Sequence, residues 1–200
     1  MKKGILIVIE GIDGAGKSTQ ARRLVRALRA RNLEAVYFRE PSRGKWGREL
    51  KRKAREAKSL IPEEELELFR KDRQENVENN LKPALAEGKI IILDRYYFSS
   101  IAYQGAKGID PERIRRVNEK FAPRADLVFI LDIRPDEGLA RIADRKSRDR
   151  LFERETYLSR VRRIFRSFSG RKFVHIDAQQ GKSEVTRQIL EKVLAFLTKC

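Results

Sequence analysis

Short apolar runs alternate with amphipathic stretches along the whole chain. Continuous runs at 5–9, 90–93 and 127–131 predict strands buried on both faces, and weaker runs at 35–38 and 173–176 predict two more. Strands that alternate with helices in this way form parallel sheets whose connections cross over each face. The pattern therefore predicts an α/β fold with a five-stranded parallel sheet covered by helices on both faces.

Three stretches outside these runs are predicted to be helical. The first covers 18–31, where the polar face is rich in arginine. The second begins at Pro62, followed by three glutamates that suit a helix N-terminus, and is expected to reach about Glu87 with a bend at Pro83. The third covers 184–198 and is predicted to close the fold.

The most polar stretch runs from Asp144 to Arg150 and contains no apolar side chain. Because it has nothing to bury, we predict a short mobile lid at about 144–150, between two helical segments. Neither internal repeats nor a linker rich in glycine and serine interrupts the pattern. We therefore predict one domain that spans residues 1–200.

Composition narrows the possible functions. Lys and Arg total 46 against 29 Asp and Glu, a net charge of +17, which favours anionic partners such as nucleotides or nucleic acid, or a basic solvated surface. The single cysteine, Cys200, excludes an intrachain disulfide and a cysteine-based zinc site. The apolar run at 5–9 is too short for a signal peptide or a membrane span. We expect a cytoplasmic protein with no membrane partner.

The strongest motif is a glycine-rich loop at 11–18 that reads G-I-D-G-A-G-K-S. It matches G-x-x-x-x-G-K-[ST] between a predicted strand and a predicted helix, the context in which such a loop wraps around the phosphates of a nucleotide such as ATP. Lys17 is expected to reach the β- and γ-phosphates, and the Ser18 hydroxyl to ligate Mg²⁺. The predicted nucleotide contacts are Gly11, Ile12, Asp13, Gly14, Ala15, Gly16, Lys17, Ser18 and Thr19.

Charged residues also close two neighbouring strands. Asp94 and Arg95 follow the third predicted strand, and Arg39 follows the second. Open α/β sheets bind ligands at the carboxyl edge of their strands, so Asp94 is a candidate ligand of Mg²⁺ or of its water. Arg39 and Arg95 are candidates for binding an anion, although either could instead form a surface ion pair.

The chain resembles the thymidylate kinases in four motifs: E-G-I-D-G-A-G-K-S-T-Q, R-E-P, L-F-R-K-D-R and D-R-Y-Y-F-S-S-I-A-Y-Q-G. The resemblance extends from Glu10 to Ala178. It implies the three-layer P-loop kinase fold with a short lid, a homodimer, and direct in-line transfer of a phosphoryl group from ATP to dTMP with Mg²⁺.

The resemblance also assigns roles to acceptor-side residues. It implies that Phe69 stacks on thymine, that Arg73 hydrogen-bonds a ring carbonyl, and that Tyr103 crowds the 2′ position of the sugar. Phe69 and Arg73 are four residues apart, on one helix face. Without the resemblance, Phe69 would be interpreted as a core aromatic residue. The remaining acceptor-side contacts are assigned to Asp13, Ser99 and Ser100.

Catalysis of this kind needs positioning and charge neutralisation rather than a general base, because the acceptor phosphate is already an anionic nucleophile. Arg39 and Arg95 would hold that phosphate, and Lys17 would neutralise the donor. The family supplies one further arginine, either from the P-loop or from the lid. This P-loop has none, so we expect Arg145 and Arg148 of the lid to supply it.

One loop departs from the family pattern. The family commonly has R-E-P-G-G-T, whereas residues 39–47 read R-E-P-S-R-G-K-W-G. The acceptor could therefore be dUMP, another nucleoside monophosphate, or a nucleoside, which would need a carboxylate base near its 5′-hydroxyl. A basic P-loop module that binds nucleic acid is the alternative from a different class. In the kinase interpretation, nucleic acid is bound nonspecifically if at all.

Overall fold

The computed structural model describes residues 4–56, 60–142 and 149–199. The predicted five-stranded sheet is confirmed, with all strands parallel and in the order β2-β3-β1-β4-β5. The strands are β1 (Ile5–Glu10), β2 (Ala35–Arg39), β3 (Ile90–Asp94), β4 (Leu127–Asp132) and β5 (Phe173–Asp177).

The central strands form the core of the sheet. β1, β3 and β4 are almost entirely buried, as continuous runs of isoleucine, leucine and valine require, and the edge strands β2 and β5 are more exposed. In the register, Asp94 lies opposite Ile9 on one side and opposite Arg39 on the other. The polar ends of β1, β2 and β3 therefore meet at one edge.

The helices connect these strands and pack in two groups. α1 packs on β2 and β3 and contacts α9, whereas α5 contacts α3, α6 and α8. Of the described helices, none is both long enough and apolar enough to cross a membrane. The helices are α1 (Lys17–Arg29), α2 (Lys45–Arg55), α3 (Pro62–Asn76), α4 (Lys82–Ala86), α5 (Tyr97–Gly105), α6 (Pro111–Glu119), α7 (Pro135–Ile142), α8 (Asp149–Ser167) and α9 (Lys182–Leu197).

The helix predicted from Pro62 to Glu87 is interrupted earlier than the sequence suggested. α3 passes at Val77 into a π-helical segment, Val77–Leu81, and α4 follows it. In this wider turn the amide of Lys82 donates to the Val77 carbonyl. Pro83 lies just after the segment and has no amide hydrogen to donate. The irregularity therefore takes the form of a wider turn before the proline.

The predicted lid at about 144–150 falls mostly outside the described residues. Its first residues, up to 148, lie outside the described residues, but α8 already begins at Asp149, so residues 149 and 150 are helical. α8 buries Leu158, Val161 and Phe165, which are three and four residues apart and form one stripe. Packing of this stripe stabilises a helix that extends back into the polar stretch.

Candidate active site at the carboxyl edge of the sheet

The phosphate-binding loop joins β1 to α1 and turns at its glycines. Gly14 has φ 82°, and a Cβ there would lie 2.0 Å from the Gly138 carbonyl oxygen of α7. Gly16, the residue before α1, has φ 87°, and no described side chain caps this helix. The first amides of α1 are therefore free to donate to an anion, as the motif predicts.

Lys17 is buried at the start of α1. Its side chain is 6% exposed, and Nζ donates a hydrogen bond of 2.7 Å to the backbone carbonyl of Ile12, within the loop itself. Burial, together with the nearby positive charge of Arg95, lowers the pKa of Lys17 to about 7. An anionic phosphate in this loop would favour the charged form and replace the Ile12 carbonyl as the partner of Nζ.

Ser18 and Asp94, the two residues predicted to bind Mg²⁺, lie in direct contact. The Ser18 hydroxyl donates a 2.5 Å hydrogen bond to Oδ2 of Asp94, which is buried at the end of β3. A hydroxyl and a carboxylate are hard oxygen donors of the kind that Mg²⁺ prefers. Within the described ranges, no group of three or more His, Cys, Asp or Glu side chains could cage a metal. The pair therefore suits an ion that takes its other ligands from water and phosphate.

Arg95 extends from the end of β3 toward the loop. Its backbone has φ 71°, a conformation that a non-glycine residue adopts at a cost of roughly 1–3 kcal/mol. The guanidinium forms an ion pair with Asp13 of the loop, donates to Ser99 Oγ at 3.2 Å, and lies over the Tyr103 ring at 5.2 Å. This geometry places a cation beside the phosphate-binding loop.

The side chain of Arg39 is less closely associated with the site than that of Arg95. Its Cα pairs with Asp94 across β2 and β3, so the two residues share the carboxyl edge. The Arg39 side chain is exposed and does not line the cleft beside Arg95. The structure therefore brings the backbone of Arg39, but not its side chain, to the predicted place beside Arg95.

A cleft of about 230 Å³ opens beside the loop and Arg95. Helices α3 and α5 supply most of its walls, and Tyr157 of α8 lies at its side. The predicted residues that line it are Asp13, Phe69, Arg73, Arg95, Ser99, Ser100 and Tyr103.

The far end of the cleft is built around Arg73 of α3. This side chain is 1% exposed, and each of its donor nitrogens has a protein partner: Nε binds Glu40 at 2.8 Å, Nη1 binds Asn118 at 2.6 Å, and Nη2 binds Ser100 at 3.1 Å. Phe69, one turn earlier, is only half-buried and lines the cleft. The interpretation of Phe69 as a core residue is therefore disfavoured.

A comparison with protein families decides the relationship of this chain. A family model described as thymidylate kinase matches residues 9–189.

The chain belongs to the thymidylate kinase family.

Curated members of the family match nearly the whole chain. A protein of Akkermansia muciniphila named thymidylate kinase is 49% identical over 94% of this chain and 90% of its own length. One of Brachyspira hyodysenteriae with the same name is 42% identical over 96% and 94%. A probable thymidylate kinase of Archaeoglobus fulgidus is 40% identical over 96% of both chains. The resemblance seen in the four motifs is thereby confirmed.

Two buried glutamates of this family member were missed in the sequence. Glu40, from the R-E-P motif, accepts from Arg73, and burial raises its pKa to about 7 even though Arg73 opposes the shift. Glu10, which closes β1, accepts from the Tyr96 amide at 2.7 Å and from the amide and hydroxyl of Ser99. Burial raises the pKa of Glu10 as well. A charged residue directly after a buried strand was the available signal.

Gln104 is a further residue of the cleft, and its buried Oε1 makes no hydrogen bond to the described residues. Gln104 stands in the A-Y-Q-G motif, which was the available signal. Tyr157 donates to the Tyr103 carbonyl at 2.8 Å from α8, a contact that only tertiary packing creates.

The loop that departs from the family pattern is held by α3. Asp72 accepts from both the amide and the hydroxyl of Ser42, at 2.8 and 2.6 Å, and its side chain is fully buried. Glu75, one turn later, accepts from the amides of Lys45 and Trp46 at the start of α2. Two carboxylates thus fix a loop in which the family commonly has two glycines.

The two arginines predicted to act from the lid, Arg145 and Arg148, lie outside the described residues.

Proposed function

We propose that this chain transfers the γ-phosphoryl group of ATP to the phosphate of dTMP, giving dTDP and ADP. The observation that carries the proposal is the continuity of the site: Arg95 borders both the phosphate-binding loop and the cleft that ends at Phe69 and Arg73. The names of the curated relatives support the same reaction.

The far end of the cleft suits a pyrimidine base. The half-buried Phe69 ring offers a stacking surface, which contributes roughly 1–3 kcal/mol per base in proteins. Arg73 would donate to a ring carbonyl. The unpartnered Oε1 of Gln104 is an acceptor for the imide N–H of thymine, and Tyr103 would lie against the sugar where a 2′-hydroxyl would crowd it.

The near end suits the reacting phosphates. Arg95, with Arg39 from the neighbouring strand, would hold the acceptor phosphate in line with the donor. Lys17 would neutralise negative charge on the β- and γ-phosphate oxygens of the donor during the transfer. Arg145 or Arg148 would stabilise charge on the transferring group, since the loop itself carries no arginine. These groups act by position and charge, and none has to remove a proton.

Ser18 and Asp94 would hold a magnesium ion beside the donor phosphates. When bound, Mg²⁺ would supply positive charge that offsets the negative charge of the donor phosphates. The hydroxyl and the carboxylate already lie in contact, so little rearrangement of the chain is needed to present both. The remaining contacts of the triphosphate would come from the amides of 11–16 and from Thr19.

A coupled ADP-release assay with ATP, Mg²⁺ and a panel of acceptors tests the proposal. We expect turnover with dTMP, weaker turnover with dUMP, and none with thymidine. Arg73→Gln serves as the matched variant, and it should raise the KM for dTMP while leaving the KM for ATP unchanged. Activity on thymidine but not on dTMP would contradict the proposal.

We also infer one domain over residues 1–200 and a homodimer, which the family membership suggests. A groove between α3 and α6 supports a protein contact there, because its walls combine charged side chains with Leu66 and the partly exposed Val117. Light scattering should give twice the mass of the chain, and Val117→Asp should give the monomer. A monomeric wild type would contradict the dimer.

We place the chain in the cytoplasm because ATP and dTMP are found there.

A further inference from the structure

Tyr37 lies on the edge strand β2, between α1 and β3. Its hydroxyl donates a 3.0 Å hydrogen bond to Oδ2 of Asp94. Ser18 donates to the same oxygen, at 2.5 Å. Among the described residues, the side-chain hydrogen bonds that Asp94 accepts are these two. One oxygen of the Asp94 carboxylate therefore accepts hydrogen bonds from two hydroxyl groups.

The ring of Tyr37 is held by a residue from the same helix as Ser18. Arg22, one turn after Ser18 on α1, places its guanidinium over the ring at 5.5 Å from the centroid. The Tyr37 hydroxyl is the donor in its hydrogen bond to Asp94, because an ionised carboxylate can only accept. α1 thus positions Asp94 twice, directly through Ser18 and indirectly through Arg22 and Tyr37.

We propose that Tyr37 is a positioning residue that orients the Asp94 carboxylate toward Ser18, and so sets the affinity of this site for a divalent metal bound with a nucleotide. Tyr37 does not line the acceptor cleft, so its effect should fall on the donor side alone. Without the phenolic hydroxyl, Ser18 is the remaining side-chain donor to Asp94 among the described residues, and the carboxylate is freer to rotate. The inference rests on the proposed placement of the metal at Ser18 and Asp94.

Binding of Mn²⁺ in the presence of ADP, followed by electron paramagnetic resonance, tests this role without turnover. Residues that orient a metal ligand typically change metal affinity by about 10–100-fold, so Tyr37→Phe should raise the dissociation constant of Mn²⁺ about tenfold. The Mg²⁺ concentration that half-saturates the kinase assay should rise in parallel, with the KM for dTMP unchanged.

Tyr97→Phe is the matched control. It also removes one tyrosine hydroxyl, but that hydroxyl contacts Glu119 and lies outside the cleft, so Mn²⁺ binding should stay as in the wild type. Arg22→Gln removes only the cation over the ring, and should weaken Mn²⁺ binding by no more than about threefold.

Wild-type Mn²⁺ affinity in a folded Tyr37→Phe variant would overturn the proposal, and so would an equal loss in Tyr97→Phe. Because the binding measurement contains no acceptor, its result is independent of whether dTMP is the substrate. A chain that failed to phosphorylate dTMP but showed the tenfold shift would leave the role of Tyr37 standing.

Discussion

The two ends of the site differ in how their cations are held. We call the far end, where the pyrimidine would bind, the base end, and the near end beside the phosphate-binding loop the transfer end. At the base end, the Arg73 guanidinium binds three protein acceptors and is 1% exposed. At the transfer end, Lys17 binds a carbonyl of its own loop and Arg95 binds Asp13, whose side chain is 47% exposed. The cation of the base end is therefore in place before the substrate arrives, whereas the cations of the transfer end are paired with groups that phosphate can replace.

Because of this difference, one end of the site is suited to recognition of the base and the other to transfer of the phosphoryl group. A preformed base end loses little conformational freedom on binding, so that more of the contact energy remains as affinity. The transfer end must accept highly charged phosphates, and temporary partners keep its cations in place until then. The same division predicts that changes at the transfer end alter rate, whereas changes at the base end alter stability and the KM for dTMP.

The largest effect is expected for the lid. Arg148→Ala or Arg145→Ala should lower kcat by about 10³-fold or more, the lower part of the range for an arginine that acts on a transferring phosphoryl group. The KM for dTMP should change little, because the base end is untouched. Arg163→Ala, an exposed arginine of α8, is the control. If both lid variants keep turnover near that of the wild type, the lid does not supply the arginine.

The second change breaks the base end. Arg73→Met leaves Glu40 buried without its ion partner, and should lower the free energy of unfolding by about 3–5 kcal/mol in urea titrations. The loss should be smaller at pH 5.5 than at pH 8, because burial already raises the pKa of Glu40 to about 7 and the carboxyl can protonate. Adding Glu40→Gln to this variant should recover part of the stability. A loss of stability independent of pH would show that Glu40 is not the group left unpaired.

A third change loosens the loop that departs from the family pattern. Asp72→Asn weakens both hydrogen bonds to Ser42, and should raise the KM for dTMP by about tenfold, the equivalent of roughly 1.4 kcal/mol. Amide hydrogen exchange of residues 42–46 should become faster. Glu67→Gln, on the same helix but at the surface, is the control. An unchanged exchange rate in Asp72→Asn would mean that Asp72 does not fix the loop.

The smallest expected effect is the uptake of a proton by Lys17, at the transfer end, when a nucleotide binds. With its pKa lowered to about 7, Lys17 is mostly neutral in the free chain at pH 8, and a bound triphosphate should recharge it. Binding of a non-hydrolysable ATP analogue should therefore take up a fraction of a proton at pH 8, and affinity should fall as the pH rises above 7. Calorimetry in buffers of different ionisation enthalpy measures this uptake. The same uptake in Lys17→Met would assign the proton to another group.

The sheet and the phosphate-binding loop could be predicted from the sequence because their signals are local. Five apolar runs and one glycine-spaced motif specify them without reference to the rest of the chain. Phe69 and Arg73 required the family resemblance, since four-residue spacing on a helix is equally typical of a core stripe.

The contacts that organise the site could not be predicted, because they join distant parts of the chain. Glu10 caps the segment at Tyr96 and Ser99, Tyr157 reaches in from α8, and Tyr37 reaches Asp94 across the edge of the sheet. No periodicity marks such residues. Of the net charge of +17, the site uses only a few cations, and Arg22 is one surface arginine that gains a structural role.

Transfer of label from ATP tests the central claim most directly. The chain is incubated with ATP labelled at the γ-phosphate, Mg²⁺ and equimolar dTMP, and the products are separated. We expect the label in the β-phosphate of dTDP, formed in equal amount to ADP. Label released as inorganic phosphate, or found in dTMP when thymidine replaces dTMP as the acceptor, would contradict a kinase whose acceptor is the dTMP phosphate.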